Sequence, residues 1–379
     1  MERFISEYYK NAEIISPDDS SHYFFAYYDM RASQGKRHLC HKVQFIDRIP
    51  NENDVAEIGY LEDKKFYKIA ETTAWNFQQG ALLQYHPYKA DTVYYNTIKD
   101  GKAVTVTHNY KTGEKLFTDR ATACVSEDGK LGLSINFGRV FDFRAGYGYA
   151  FCKDENASVG APTDDGVFLC DMETGKSHLI FNYEEIRRVS GYSEDEKILV
   201  NHITFNKSGD KFILLVRNFP KGTQWSTSLM VGDLRGNLGL LLEKTYVSHY
   251  NWLDSQKILV HCAVSGQKGL FLIDAKTGKA EEYFDPFLRG NDIHCLFSPD
   301  KKYVIGDGYQ IGSHRPLVAY SVESGKLRKL CSVLTNEVPV DARCDLHARF
   351  VFGGEYISFD TVQNGKREIA LIPATALDF

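Results

Sequence analysis

HITFNKSGDKFILLV, residues 202–216, decides the fold because it recurs. The same arrangement returns as HYNWLDSQKILV from His249, HCLFSPDKKYVIG from His294 and HARFVFGGEYISF from His347. Each copy holds a histidine, two residues, an aromatic, a turn and a short apolar strand. The histidines stand 47, 45 and 53 residues apart. Periods of about 40–50 residues built of short strands predict propeller blades.

Working outward, a second signal repeats in step with the first. Strand pairs are joined by Thr112-Gly113, Thr174-Gly175, Arg235-Gly236, Thr277-Gly278 and Ser324-Gly325. Glycine supplies the positive φ that tight hairpins need. Two earlier copies lack the histidine: LLQYHPYKADTVYYN from Leu82 and TACVSEDGKLGLSIN from Thr122. A first blade is expected from Phe24 to about Ala70. The count is then seven four-stranded blades in one all-β propeller spanning residues 1–379. The seventh runs out after Glu368–Ile372, so its fourth strand is expected from Ala12–Ser16. That closure hides the open edges of the ring. An aromatic insertion at about 137–164 interrupts the third blade, and long loops in compact folds are usually functional.

Composition narrows the function. With 45 Lys and Arg against 50 Asp and Glu, the net charge of -5 provides no basic field for nucleic acid or a membrane surface. No run approaches the ~18 apolar residues of a membrane span. The N-terminus lacks the apolar core of a signal peptide, and the eight cysteines form no CxxC pair. These features predict reduced thiols and a cytoplasmic location. There is no GxSxG, P-loop or HExxH motif, so serine hydrolase, nucleotide and zincin chemistries have no support.

The four histidines open inner strands and should gather at one mouth of the central channel. The second strands run back to that mouth and end in Asn96, Asn136, Arg217, His261, Asp307 and Asp360, a polar group at one height in six blades. This is expected to be a functional ring, with packing as the competing role for His202 and His249. His294 and His347, with Cys344 and Asp345 beside the latter, suit a divalent ion such as Zn²⁺. Asn76 to Gly80, with Gln79, precede the second blade, and Arg144, Tyr147 and Tyr149 lie in the insertion. Arginine pairs bidentately with carboxylates, and tyrosine near cations can act as acid or base. Together these groups suit an acidic sugar. His249, His261, Asp307 and Tyr309 are expected to contact it, and His202 and Arg217 to join Tyr147, Arg144 and Gln79 in catalysis.

Across about 170 residues the repeats resemble oligogalacturonate lyases, through His202-I-T-F, His249-Y-N-W, His294-C-L-F-S-P-D with Gly306-Asp307-Gly308, and Asp345-L-His347-A-R-F. The resemblance implies β-elimination of uronic-acid oligomers and a divalent metal, typically Mn²⁺. His294 and His347 match two metal positions of that family; the other two read Ala342 and Asp345. Cys344 could substitute, favouring Zn²⁺, and the family's catalytic histidine falls near Arg217. Residues 76–80 and 144–149 also resemble propeller ulvan lyases, whose histidine position reads Gln79 or Gly80 here. The expected function is a uronic-acid glycan lyase; the alternative is a non-catalytic propeller that binds a glycan or protein.

Overall fold

The computed structural model describes residues 12–220, 224–283, 285–335 and 338–379. Their strands pair into seven antiparallel sheets arranged as blades around a ring. Blade 1 holds His22–Phe24, Arg37–Val43, Ala56–Glu62 and Lys65–Thr72, with Ser33–Gln34 folded back on its second strand. Blades 4 and 5 run from Ile198–Phe205 to Leu238–Thr245 and from Val247–Trp252 to Ala280–Tyr283. Blade 7 holds Arg349–Val351, Tyr356–Thr361 and Glu368–Pro373, and its outermost place is taken by Glu13–Ile14. Glu13 registers with Leu371 and Ile14 with Ala370, and Ser16 Oγ accepts from Ile369 N at 2.8 Å. The expected closure by Ala12–Ser16 is therefore the one observed.

Burial follows a strand's place in its blade. In Lys211–Asn218 the run Phe212 to Arg217 is buried throughout, because neighbouring blades cover both faces of a middle strand. Outer strands such as Lys65–Thr72 and Leu238–Thr245 are largely open and carry lysines, which discourages edge pairing. The hairpin glycines behave as expected. Gly278 has φ +71° with open space at a Cβ position, so only its conformation requires glycine. Gly175 has φ +74° and also lies against Phe117 O, where a Cβ would sit at 2.3 Å.

Polar groups on the second strands tie several blades to the next. Asp360 of blade 7 accepts from Phe25 N and Ala26 N of blade 1 and pairs with Arg349. Asp307 of blade 6 accepts from Leu346 N (2.8 Å) and His347 N (3.1 Å) of blade 7. His41 of blade 1 accepts from Ala81 N before blade 2, and Asn96 donates to Thr122 O before blade 3. Ala26, Leu82 and His347 all carry positive φ, at 81°, 53° and 45°. Such backbone costs on the order of 1–3 kcal/mol per residue, and these clamps hold it. Much of the ring expected to be functional is thus a set of inter-blade fasteners.

The insertion is ordered. Asn136 caps helix α1 (Phe137–Phe143) by accepting from Arg139 N, and its amide donates to Asp154 and Asp165. Arg139 is fully buried, ion-paired to Asp154, and donates to the carbonyls of Ile198 and Gly160. The eight cysteines are all free. Among the described residues no helix is long and apolar enough to cross a membrane.

Candidate active site at the channel mouth

Four departures from regular strand geometry bring the histidines together. The blade 4 register shifts between Val200 and His202, and that of blade 5 between Val247 and Tyr250. Bulges of this kind re-aim side chains, and they occur here at His202 and His249. His294 lies just before its strand, Leu296–Phe297, and His347 takes the left-handed backbone held by Asp307. His249 and His294 ring centroids are 3.9 Å apart, and those of His294 and His347 4.3 Å.

A segment the repeat did not announce completes the floor. Beyond blade 1's inner strand, Ala26 turns the chain across the channel. Tyr28 donates to Tyr250 O of blade 5 at 3.0 Å. Tyr27 stacks near His202 and is tilted against His347, and Tyr28 stacks near His347. The mouth chamber above this plug is lined by Gln78, Tyr147, His202, His249, His294 and His347. A second pocket, lined also by Gln79, shares Tyr27 and His202 with it.

Paired carboxylates set the imidazoles. His249 Nδ1–H donates to Asp292 at 2.9 Å, and His294 Nδ1–H to Asp307 at 3.1 Å. This leaves Nε2 of each with its lone pair, the second-sphere pattern common among metal-binding histidines. Burial opposes charge on His294, but Asp307, Asp345 and Asp292 outweigh it and raise its pKa. Burial lowers His347 well below the usual value, and His294 lowers it further. Its ring nitrogens take no hydrogen bond from the described residues.

His294, Asp345 and His347 each offer a ligand atom within 4.8 Å of the others. Asp345 is also held by cations: its Oδ1 takes Arg315 Nη1 at 2.9 Å and Arg343 Nε at 3.0 Å. Its Oδ2 lies 2.7 Å from Arg343 Nη2 but makes no aligned hydrogen bond. Cys344, expected to share the site, lies outside this group. Its thiol donates to the Asp345 carbonyl at 3.7 Å, and burial pushes its pKa up to about 12. The donors are imidazole and carboxylate, so the thiolate argument for zinc falls away and the set suits Mn²⁺ as well.

Beside this group lies a cationic one. Tyr147 packs edge-on to His202 with centroids 5.6 Å apart, and Arg144 covers the Tyr147 ring at 4.5 Å. Arg343 Nη2 donates to the Tyr147 hydroxyl at 3.3 Å, and that hydroxyl donates to Gln78 Oε1 at 3.4 Å. Gln79 sits 3.3 Å from His202 Nδ1. Arg144 is paired with Asp341 at 3.0 Å, which docks the insertion onto the turn before blade 7. Arg217 differs from the other arginines of the site, Arg144, Arg315 and Arg343, each of which pairs with a carboxylate. It donates to Thr227 and Asn201 but has no carboxylate within ion-pair distance among the described residues. Burial lowers its pKa to about 10. Burial likewise pushes His202 well below the usual value, aided by Arg217, His249 and Arg144, so His202 is neutral.

The structure thus gathers Tyr147, Arg144, Arg217, His202, Gln79, His249, His294, Asp345 and His347. Tyr309 stands at the rim, 41% exposed and 6.2 Å from His249. Four expected sugar contacts do not reach the chamber. Asn76 caps the amides of Gln78 and Gln79 and donates to Gly148 O. Tyr149 is fully buried, stacked on Phe137, and accepts from Asn96. His261 donates to Leu288 O beside Asp292. Asp307 is consumed by His294 and the blade 7 amides. Sequence reasoning missed Tyr27, Tyr28, Asp292, Arg315 and Arg343. Arg343, two residues from Asp345, and Asp292, two residues from His294, had a nearby signal.

No protein-family model and no curated protein matches the chain. Solved structures do. An oligogalacturonate lyase in complex with manganese superposes with a TM-score of 0.66 at 13% identity, over 96% of this chain and 94% of that one. The chain shares its fold. An oligogalacturonate lyase from Vibrio parahaemolyticus gives 0.65 at 14% identity over 96% of both chains. The tricorn protease gives 0.52 at 13% identity, over 97% of this chain but 34% of that one. The propeller with its closing N-terminal strand is thereby set among lyase structures as well as others, and fold alone transfers no activity.

Proposed function

We propose that this protein is a lyase that cleaves a uronic-acid-containing oligosaccharide by β-elimination. One observation carries the reading: Arg217 is a buried cation without an acidic partner, beside a neutral histidine and a tyrosine. An unpaired buried charge costs several kcal/mol, on the order of 3–5 when a partner has been removed, so it calls for an anion from outside. A uronate carboxylate is such an anion.

With the carboxylate on Arg217, negative charge developing at C5 is delocalised onto it and neutralised. The neutral His202 takes the C5 proton. Turning the Gln79 amide oxygen to Nδ1–H leaves Nε2 as the accepting atom. The electron pair forms the C4–C5 double bond, and the C4–O bond breaks. The Tyr147 hydroxyl, oriented by Arg343 and Gln78, gives its proton to the leaving oxygen. The proton then returns from His202 to Tyr147, so no water is consumed.

His294, His347 and Asp345, with His249 beside them, would hold a divalent cation. The carboxylate-backed rings of His249 and His294 and the unbonded ring of His347 fit one. Such an ion supplies Lewis-acid polarisation of the substrate carboxylate. The test follows ultraviolet absorbance of the unsaturated product from a panel of oligouronides. The expected result is product formation that chelation abolishes and Mn²⁺ restores. No product from any oligouronide with added Mn²⁺ or Zn²⁺ would overturn the proposal and leave the binding propeller.

A further inference from the structure

Two irregular loops meet on the mouth face outside the chamber. One is the insertion, where α1 ends at Phe143 immediately before Arg144. The other joins Lys211–Asn218 to Thr227–Asp233 in blade 4, just beyond Arg217. Trp225 on this second loop packs edge-on to Phe143 with centroids 5.5 Å apart, and Phe143 does the same to Phe219 at 5.4 Å. Phe143 and Phe219 are half-buried, whereas Trp225 is 44% exposed. Ser226, next to the indole, is held in place. Ser226 N donates to Asn218 Oδ1 at 2.8 Å, and Ser226 O accepts from the Tyr192 hydroxyl at 2.9 Å.

A large indole held open to solvent by its neighbours is a site waiting for a flat apolar partner. Its surroundings select the partner. Trp225 packs on Phe143, whose chain neighbour Arg144 covers the Tyr147 ring that lines the mouth. Tyr309 stands at the rim of the blade 6 side, under Arg315 and Arg343 at 5.8 and 5.9 Å. A sugar ring offers an apolar C–H face, and a uronate adds the negative charge that the arginines attract.

We infer that Trp225, backed by Phe143, is a distal subsite that stacks a sugar ring of an acidic oligosaccharide whose scissile unit sits at Arg217 and His202. The inference deepens the proposed lyase reading and rests on it for the identity of the scissile unit. The subsite makes the enzyme favour longer oligomers over the shortest ones.

Fluorescence isolates the site. Trp75 and Trp252 are 1% and 2% exposed, so Trp225 is the tryptophan that external quenchers and ligands reach. Full-length protein is titrated with short and longer oligouronides while acrylamide quenching and product absorbance are followed in parallel. The expected results are a change in emission and protection from acrylamide, stronger with the longer oligomers. Trp225→Ala should reduce the preference for long over short substrates by about tenfold, the scale of one lost aromatic anchor. Trp225→Tyr should restore most of it, and Tyr88→Ala, an exposed aromatic far from the mouth, should change nothing. Cleavage with no emission change and an unaltered preference in Trp225→Ala would overturn the subsite and leave the lyase intact. An emission change and protection without cleavage would support the subsite and refute the lyase. Neither signal with any oligouronide would overturn both.

Discussion

Asp360 in blade 7 and Arg217 in blade 4 hold the same place, next to last in the second strand of their blades. Both are buried and charged. Asp360 is fully spent, on two backbone amides of blade 1 and on Arg349. Arg217 has neutral partners only. One position in a repeat thus serves as a fastener in one blade and as an unsatisfied cation in another. The lesson is that chemistry sits where the repeat's polar pairing is left incomplete.

Substitutions at these two places should separate cleanly. Arg217→Met should lower kcat/KM on oligouronides by about 10²–10³-fold, as loss of one preorganised charge donor does. Its urea midpoint should stay within about 1 kcal/mol of wild type or rise, because an apolar side chain replaces an uncompensated charge. Asp360→Ala should do the reverse. It strands Arg349 and two amides, which costs about 3–5 kcal/mol in denaturant unfolding. A stable Asp360→Ala with impaired turnover would erase the distinction between the two residues.

Asp307 lies between these extremes, as both fastener and orienter of His294. Asp307→Asn keeps an acceptor for one of the two blade 7 amides and weakens the hold on imidazole. Metal affinity, read by titration against a competing chelator, should fall by about 10–100-fold with a smaller change in stability. Cys344→Ser should leave metal stoichiometry unchanged.

The fastener class also predicts a pH response away from the mouth. His38 and His41 are held neutral, burial lowering them from 6.5 to about 3 and about 4. Unfolded, they take up protons below pH 6.5; folded, they do not. Stability is therefore full above 6.5 and falls as pH drops toward 4, by up to about 1.4 kcal/mol per pH unit for each histidine. Urea midpoints measured across that window should show this slope, and His41→Gln should flatten it.

The repeat made the fold legible. Four His-x-x-aromatic copies, regular hairpin glycines and a missing last strand were enough to count seven blades and to place Ala12–Ser16. The inner-strand histidines were legible for the same reason, since position in a blade fixes height in the channel. The polar ring was legible as residues but not as roles, because pairing partners lie a whole blade away in sequence. Asp360 and Asp307 look alike until Ala26 and His347 are seen to need their amides held. The plug formed by Tyr27 and Tyr28 was illegible because it departs from the repeat after Ala26, where φ turns positive at a non-glycine residue. Asn76 and Tyr149 were misassigned because polar and aromatic residues in irregular loops serve caps and stacks as often as ligands. Arg315 escaped notice because its link to Asp345 runs from blade 6 to the segment before blade 7.

Mass spectrometry of the products formed from an oligouronide bears most directly on the claim that Arg217, His202 and Tyr147 perform an elimination. The account predicts fragments whose masses sum to that of the parent, one carrying an unsaturated uronate, and their loss in Arg217→Met. Fragments that together exceed the parent by one water, or an uncut parent in the presence of metal, would contradict it.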